Sequence, residues 1–139
     1  RMRKAGYRFY FSPDILSWHA ARKTLRGQLN QKWGNGYWIG RTMRIQPCCF
    51  APRHLIPALF VLALVVLLAV FPLWELPLCA MLLLYGILDI VFAVKAAAEA
   101  PRGKLLVFLC LPFLFPVVHI VYGVGTICGL LTGKASEHA

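Results

Sequence analysis

The chain has 139 residues, 60% hydrophobic and 14% charged, an apolar share above that of ordinary globular domains, so a membrane class comes first. Its net charge is +10, and eleven of the fifteen Lys and Arg stand at or before Arg53, with Asp14 the one acid in that stretch. Such a basic segment suits anionic lipid headgroups or phosphate-bearing ligands. No groove-reading or zinc motif accompanies it, so nucleic acid is not expected as a partner.

Arg1 to Gly6 reads as a helix end, with Arg1, Arg3 and Lys4 at the negative pole of the dipole and Gly6 in the left-handed position that closes a helix. Tyr7 to Phe11 alternates, Tyr7, Phe9 and Phe11 on one face and Arg8 and Tyr10 on the other, which predicts a half-buried strand. Ser12-Pro13-Asp14 supplies turn chemistry. A lone strand is not stable, and the first residue is Arg, so this start reads as the continuation of upstream sequence.

From Thr24, a plausible N-cap, the period changes. Leu25, Leu29 and Trp33 recur every four residues, with Lys23, Arg26 and Lys32 falling elsewhere. This predicts an amphipathic helix lying at a membrane interface; the same residues also fit a surface helix packed on its own domain. Pro47 and Pro52 mark a bend. Three apolar runs follow, at about 55–71, 76–94 and 105–131, each long enough to cross a bilayer. The third is longer than a span needs and contains Pro112 and Pro116, so a kink, a tilt or a break is expected there. Of five cysteines, Cys48, Cys49, Cys79, Cys110 and Cys128, none forms a CxxC pair, and three lie in apolar runs as small hydrophobes.

Lys and Arg are abundant before the first run and absent between the first two. Lys95, Arg102 and Lys104 lie between the second and third, and Lys134 alone follows. That order predicts a cytoplasmic N-terminal third and a tail on the other side. Asp89 and His119 are ionisable groups inside apolar runs and default to a functional hypothesis. Counted from the flanking lysines their depths differ, so Asp89 is expected to reach water near the boundary. Gly125, Gly129 and Gly133 form a small-residue face that permits close packing, within the chain or in a helix-mediated oligomer.

The ordered set Arg3, Gly6, Tyr7, Ser12, Pro13, Asp14, His19, Arg22, Thr24, Gln31, Gly34 and Gly36, continued by PRHLIPALFV from Pro52 and FPVVHIVYGVG from Phe115, resembles the C-terminal part of family 2 glycosyltransferases with the GT-A fold. The nearest group is the bacterial exopolysaccharide type, similar to succinoglycan-building enzymes. The resemblance implies that the DxD motif and the catalytic carboxylate base lie upstream. It implies that His19 completes the coordination of a divalent metal, Mg or Mn, on the diphosphate of a nucleotide-sugar donor. Imidazole suits such an ion, although a lone His beside a Trp also fits a packing role. Arg22 and Lys23 would neutralise the leaving diphosphate as its charge grows; lipid-headgroup contact is the plainer reading of Lys23. Gln31, Lys32 and Trp33 compare with the Q-x-x-R-W signature of processive members, with Leu29 in place of that Gln and Lys32 in place of Arg. Trp33 is then an acceptor platform or an interfacial anchor.

The expected architecture is mainly α and integral to the membrane. Residues 1–50 would be the end of a GT-A α/β catalytic domain, keeping one strand and the interfacial helix. Residues 51–139 would be a membrane domain of three transmembrane helices. The expected function is the membrane-anchoring, acceptor-side part of an inverting glycosyltransferase of the bacterial inner membrane, working on a lipid-linked saccharide acceptor among membrane lipids. Without the upstream carboxylates this chain alone is expected to be inactive. The alternative is a small non-enzymatic membrane protein that docks a partner through its basic cytoplasmic segment. A channel or transporter piece has only Asp89 and His119 in its favour and no internal repeat.

Overall fold

A computed structural model of the chain describes residues 5–8, 10–18, 22–46 and 51–132. Its described helices are α1 (Leu25–Ile45), α2 (Ile56–Val70), α3 (Leu76–Glu99) and α4 (Lys104–Thr132), with a 3-10 turn, Pro52–Leu55, ahead of α2. Three helical stretches, Pro52–Val70, Leu76–Glu99 and Lys104–Thr132, are long and apolar enough to cross a membrane. The three apolar runs of the sequence thus correspond to helices, and α3 continues past the expected end at 94.

Helix boundaries follow local chemistry. Thr24 caps α1: its backbone is extended and its hydroxyl accepts from the Gly27 amide at 3.1 Å, satisfying one of the free first-turn donors. Proline stands in the first turn of both α2 and α3, where a missing N–H costs nothing. The α3–α4 link is tight, and Gly103 takes φ +66° there, a conformation most side chains resist. Pro112 and Pro116 lie inside α4, which nevertheless runs as one helix; no break occurs at Pro116.

The N-terminal segment corrects one expectation. Among the described residues there is no strand, and Tyr7, Arg8, Tyr10 and Phe11 belong to no ladder. Alternation makes a strand only beside a partner edge, and Tyr10, Phe11 and Trp18 stand largely exposed instead. The Ser12–Asp14 turn does form, with the Asp14 amide on Ser12 Oγ at 3.2 Å. Gly6 takes φ +84° as expected; the helix end proposed for Arg1–Lys4 lies outside the described residues.

All substantial helix–helix packing involves α4; α2 and α3 touch each other only slightly. Helix α1 lies on the C-terminal half of α4 with both chains running the same way. A Cβ built at Gly36 would collide with the Tyr122 carbonyl, one at Gly40 with the Thr126 carbonyl, and one at Gly129 with the Tyr37 carbonyl. At Gly125 it would come within 2.7 Å of the Trp33 carbonyl oxygen. Two glycine pairs at i, i+4 therefore let the backbones meet. Gly123 presents another face of α4 to Pro57 and Val61 of α2.

This packing revises the expected faces of α1. Its buried positions are Gly36 and Gly40, whereas Leu25 and Trp33 of the apolar stripe are 56% and 42% exposed. Arg44 donates to the carbonyls of Leu130 and Leu131 at 3.3 and 3.2 Å, so the basic C-terminal end of α1 lies beside the last described turn of α4.

Candidate functional site

Helix α1 carries two faces at helical spacing. The first, Trp33, Gly36, Tyr37, Gly40 and Arg44, is spent on α4. The second, Gly27, Asn30, Gln31, Gly34, Asn35 and Trp38, joins Arg22 in lining an open cleft of about 460 Å³. Glycines 27 and 34 leave the floor low, and the flanking side chains are three carboxamides, one guanidinium and one indole. Trp38 is 60% exposed and is held from one side by Arg41, whose guanidinium carbon lies 5.3 Å from the ring centroid. Tyr37 meets it edge-on at 6.0 Å. The Arg22 carbonyl accepts from Gln28 Nε2 at 3.0 Å, which ties the segment before α1 to its first turn.

Such a set can bind a polyhydroxylated or phosphorylated molecule. Carboxamides both donate and accept, a guanidinium forks onto phosphate, and an indole offers a flat apolar face. Among the described residues no carboxylate lines the cleft, and no group of three His, Cys, Asp or Glu could hold a metal.

Of the residues singled out from sequence, Arg22 and Gln31 come together in this cleft. Lys23 is exposed and Lys32 half-buried, neither among the lining residues. Trp33 turns its backbone to α4, and the indole in the cleft is Trp38. His19, the metal-ligand candidate, lies outside the described residues. Sequence reasoning missed Asn30, Asn35 and Trp38, although their spacing from Gln31 along one helical face was available.

A second constellation lies between α2, α3 and α4. Tyr85 Oη is 3.1 Å from His119 Nδ1, which is also 2.9 Å from the Phe115 carbonyl oxygen. Phe60 stacks on Tyr85 with centroids 4.7 Å apart. Asp89 and His119 line one cavity with Tyr85. Asp89 is only 7% exposed, so it does not reach water as expected; α3 packs antiparallel to α4 and brings Asp89 to the level of His119.

No protein-family model, curated protein or solved structure matches this chain.

Proposed function

We propose that this chain is the membrane-seated, acceptor-side part of an inverting glycosyltransferase in a bacterial cytoplasmic membrane. It would serve the transfer of a sugar from a nucleotide-sugar donor to a lipid-linked saccharide in surface-polysaccharide assembly. The observation that carries the reading is the cleft of Arg22, Asn30, Gln31, Asn35 and Trp38 on a helix clamped to an apolar span. Its chemistry matches a saccharide joined to a lipid through phosphate. Trp38 would stack on the sugar's C–H face, the carboxamides would bond its hydroxyls and Arg22 would pair with phosphate. Seating that cleft on α4 holds it at a fixed depth relative to the lipid, which raises the effective concentration of a membrane-bound acceptor. The metal, the donor and the catalytic base belong, by the family resemblance, to carboxylates upstream of Arg1.

The test uses the purified chain in lipid nanodiscs. A polyprenyl-diphosphate saccharide is expected to bind more tightly than the same polyprenyl diphosphate without sugar, and Arg22→Ala and Trp38→Ala are expected to remove the difference. No turnover of nucleotide sugar is expected. Equal binding of both lipids by wild type would end the proposal and favour a docking module, a reading supported by the exposed Tyr10, Phe11, Leu16 and Trp18.

A further inference from the structure

The cavity between α2, α3 and α4 is used by nothing above. It measures about 430 Å³ and is walled by Ile56, Leu88, Phe92 and Phe115, with Tyr85, Asp89 and His119 as its polar groups. That size lies within the range of ordinary small-molecule pockets, which are likewise mostly apolar with a few convergent polar groups.

The polar groups are unequally satisfied. Both described hydrogen bonds of His119 are made by Nδ1, to Tyr85 Oη and to the Phe115 carbonyl. Asp89 Oδ1 is sealed from solvent and has no hydrogen-bond partner. A carboxylate only accepts, and leaving one buried without a donor is costly. Among the described residues no Lys or Arg lines the cavity, so a ligand that brings its own donor would satisfy this oxygen. An anionic head would repel the Asp89 carboxylate, with His119 the one basic group among the described lining residues.

The position of the cavity restricts the rest of the ligand. Asp89 lies about 20 Å along α3 from Leu76 and about 9 Å from Lys95, at about 1.5 Å per residue. It thus sits within the apolar run, toward its Lys95 end. Ile56, Leu88 and Phe92 at the rim are 57%, 48% and 58% exposed, an apolar track leading outward into the hydrocarbon.

We propose that this cavity binds a lipid-phase amphiphile whose head is a hydrogen-bond donor, a hydroxyl or a primary amine, with the head at Asp89 and the chain along Ile56, Leu88 and Phe92. The head donates to Asp89, and Tyr85 and His119 Nε2 fix its direction. The site is separate from the α1 cleft and stands whether or not that cleft binds sugar.

The experiment uses the full chain in nanodiscs and four diazirine-bearing probes with one saturated chain: the alcohol, the primary amine, the phosphate monoester and the plain hydrocarbon. Labelling of the α3 segment Tyr85–Phe92 is read by mass spectrometry. The alcohol or the amine is expected to label at least about tenfold more than the phosphate and the hydrocarbon, a gap of roughly 1.4 kcal/mol. Comparing the two heads separates a hydroxyl lipid from an amine lipid. Asp89→Leu is expected to abolish the preference. Ile56→Trp, which obstructs the mouth and leaves Asp89 intact, is expected to lower labelling as much, so a folding defect at position 89 cannot by itself account for the loss. Equal labelling by all four probes, a preference for the phosphate, or full labelling in Ile56→Trp would each overturn the proposal.

Discussion

Gly40 of α1 and Thr126 of α4 meet backbone to backbone, with no room at Gly40 for a single methyl group before the Thr126 carbonyl. Thr126 is fully buried, and its hydroxyl turns back to the Tyr122 carbonyl at 3.0 Å. It therefore asks nothing of α1 except shape.

Gly40→Ala and Gly36→Ala are accordingly expected to destabilise the chain by about 1–3 kcal/mol each, the usual range for overpacking, despite alanine's better helix propensity. Gly86→Ala in α3 is the control. Nothing lies within 4 Å of its new Cβ, so a gain of roughly 0.5–1 kcal/mol is expected. Denaturant titration in detergent micelles measures all three; equal behaviour at positions 40 and 86 would contradict the described packing.

Removing the α1 cap should act locally. Thr24→Ala is expected to cost about 0.5–2 kcal/mol and to speed hydrogen exchange at the Gly27 amide, while Thr24→Ser keeps the oxygen and the protection. Exchange measured by NMR on the micelle-bound chain decides it; unchanged protection in Thr24→Ala would mean the cap bond does not form.

Much of this architecture could be read from residue types alone. The three apolar runs announce themselves by length, Thr24 by cap chemistry, and Gly125 and Gly129 by spacing. The docking face of α1 could not be found by the same means. A hydrophobicity pattern gives weight to Leu25, Leu29 and Trp33, whereas the contact is made by Gly36 and Gly40, which have no side chain to weigh. The cleft was half visible, since Arg22 and Gln31 were chosen for a resemblance, while Trp38 became the relevant indole only once Trp33 was seen turned to α4. Asp89 was misjudged because its burial depends on how far α3 slides along α4, which no local signal encodes.

At the Tyr85–His119 contact, Tyr85→Phe keeps the stack on Phe60 and removes one hydrogen bond. The expected loss is about 0.6 kcal/mol and no more than about 1.7 kcal/mol, the span seen for such bonds between membrane helices. Phe60→Ala removes the stacked ring itself and should cost more than Tyr85→Phe, at about 2–3 kcal/mol for a half-buried ring. Thermal unfolding followed by near-ultraviolet circular dichroism ranks the two, and a larger loss for Tyr85→Phe would mean the ring packing is not what joins α2 to α3.

Arg44 holds the last described turn of α4 through the carbonyls of Leu130 and Leu131. Arg44→Ala should fray the last turn of α4 and leave its middle intact. Lys at this position should restore only part of the effect, because one ammonium replaces a planar fork. Exchange rates of amides 129–132 relative to 117–121 report this, and equal acceleration of both groups would point to global unfolding instead.

That α4 carries nearly all the packing has a consequence for how the chain is made. Of the four described helices it is the last to leave the ribosome. Until it emerges, α1 presents a bare glycine furrow, α2 has nothing to lie against and Asp89 of α3 is an uncovered acid among apolar side chains. Before α4 arrives, the other three described helices share little beyond the Phe60–Tyr85 stack, and most of the tertiary structure closes in one late event. A nascent chain stalled short of residue 104 would be all surface, and whatever escorts it must shelter that acid and that furrow together.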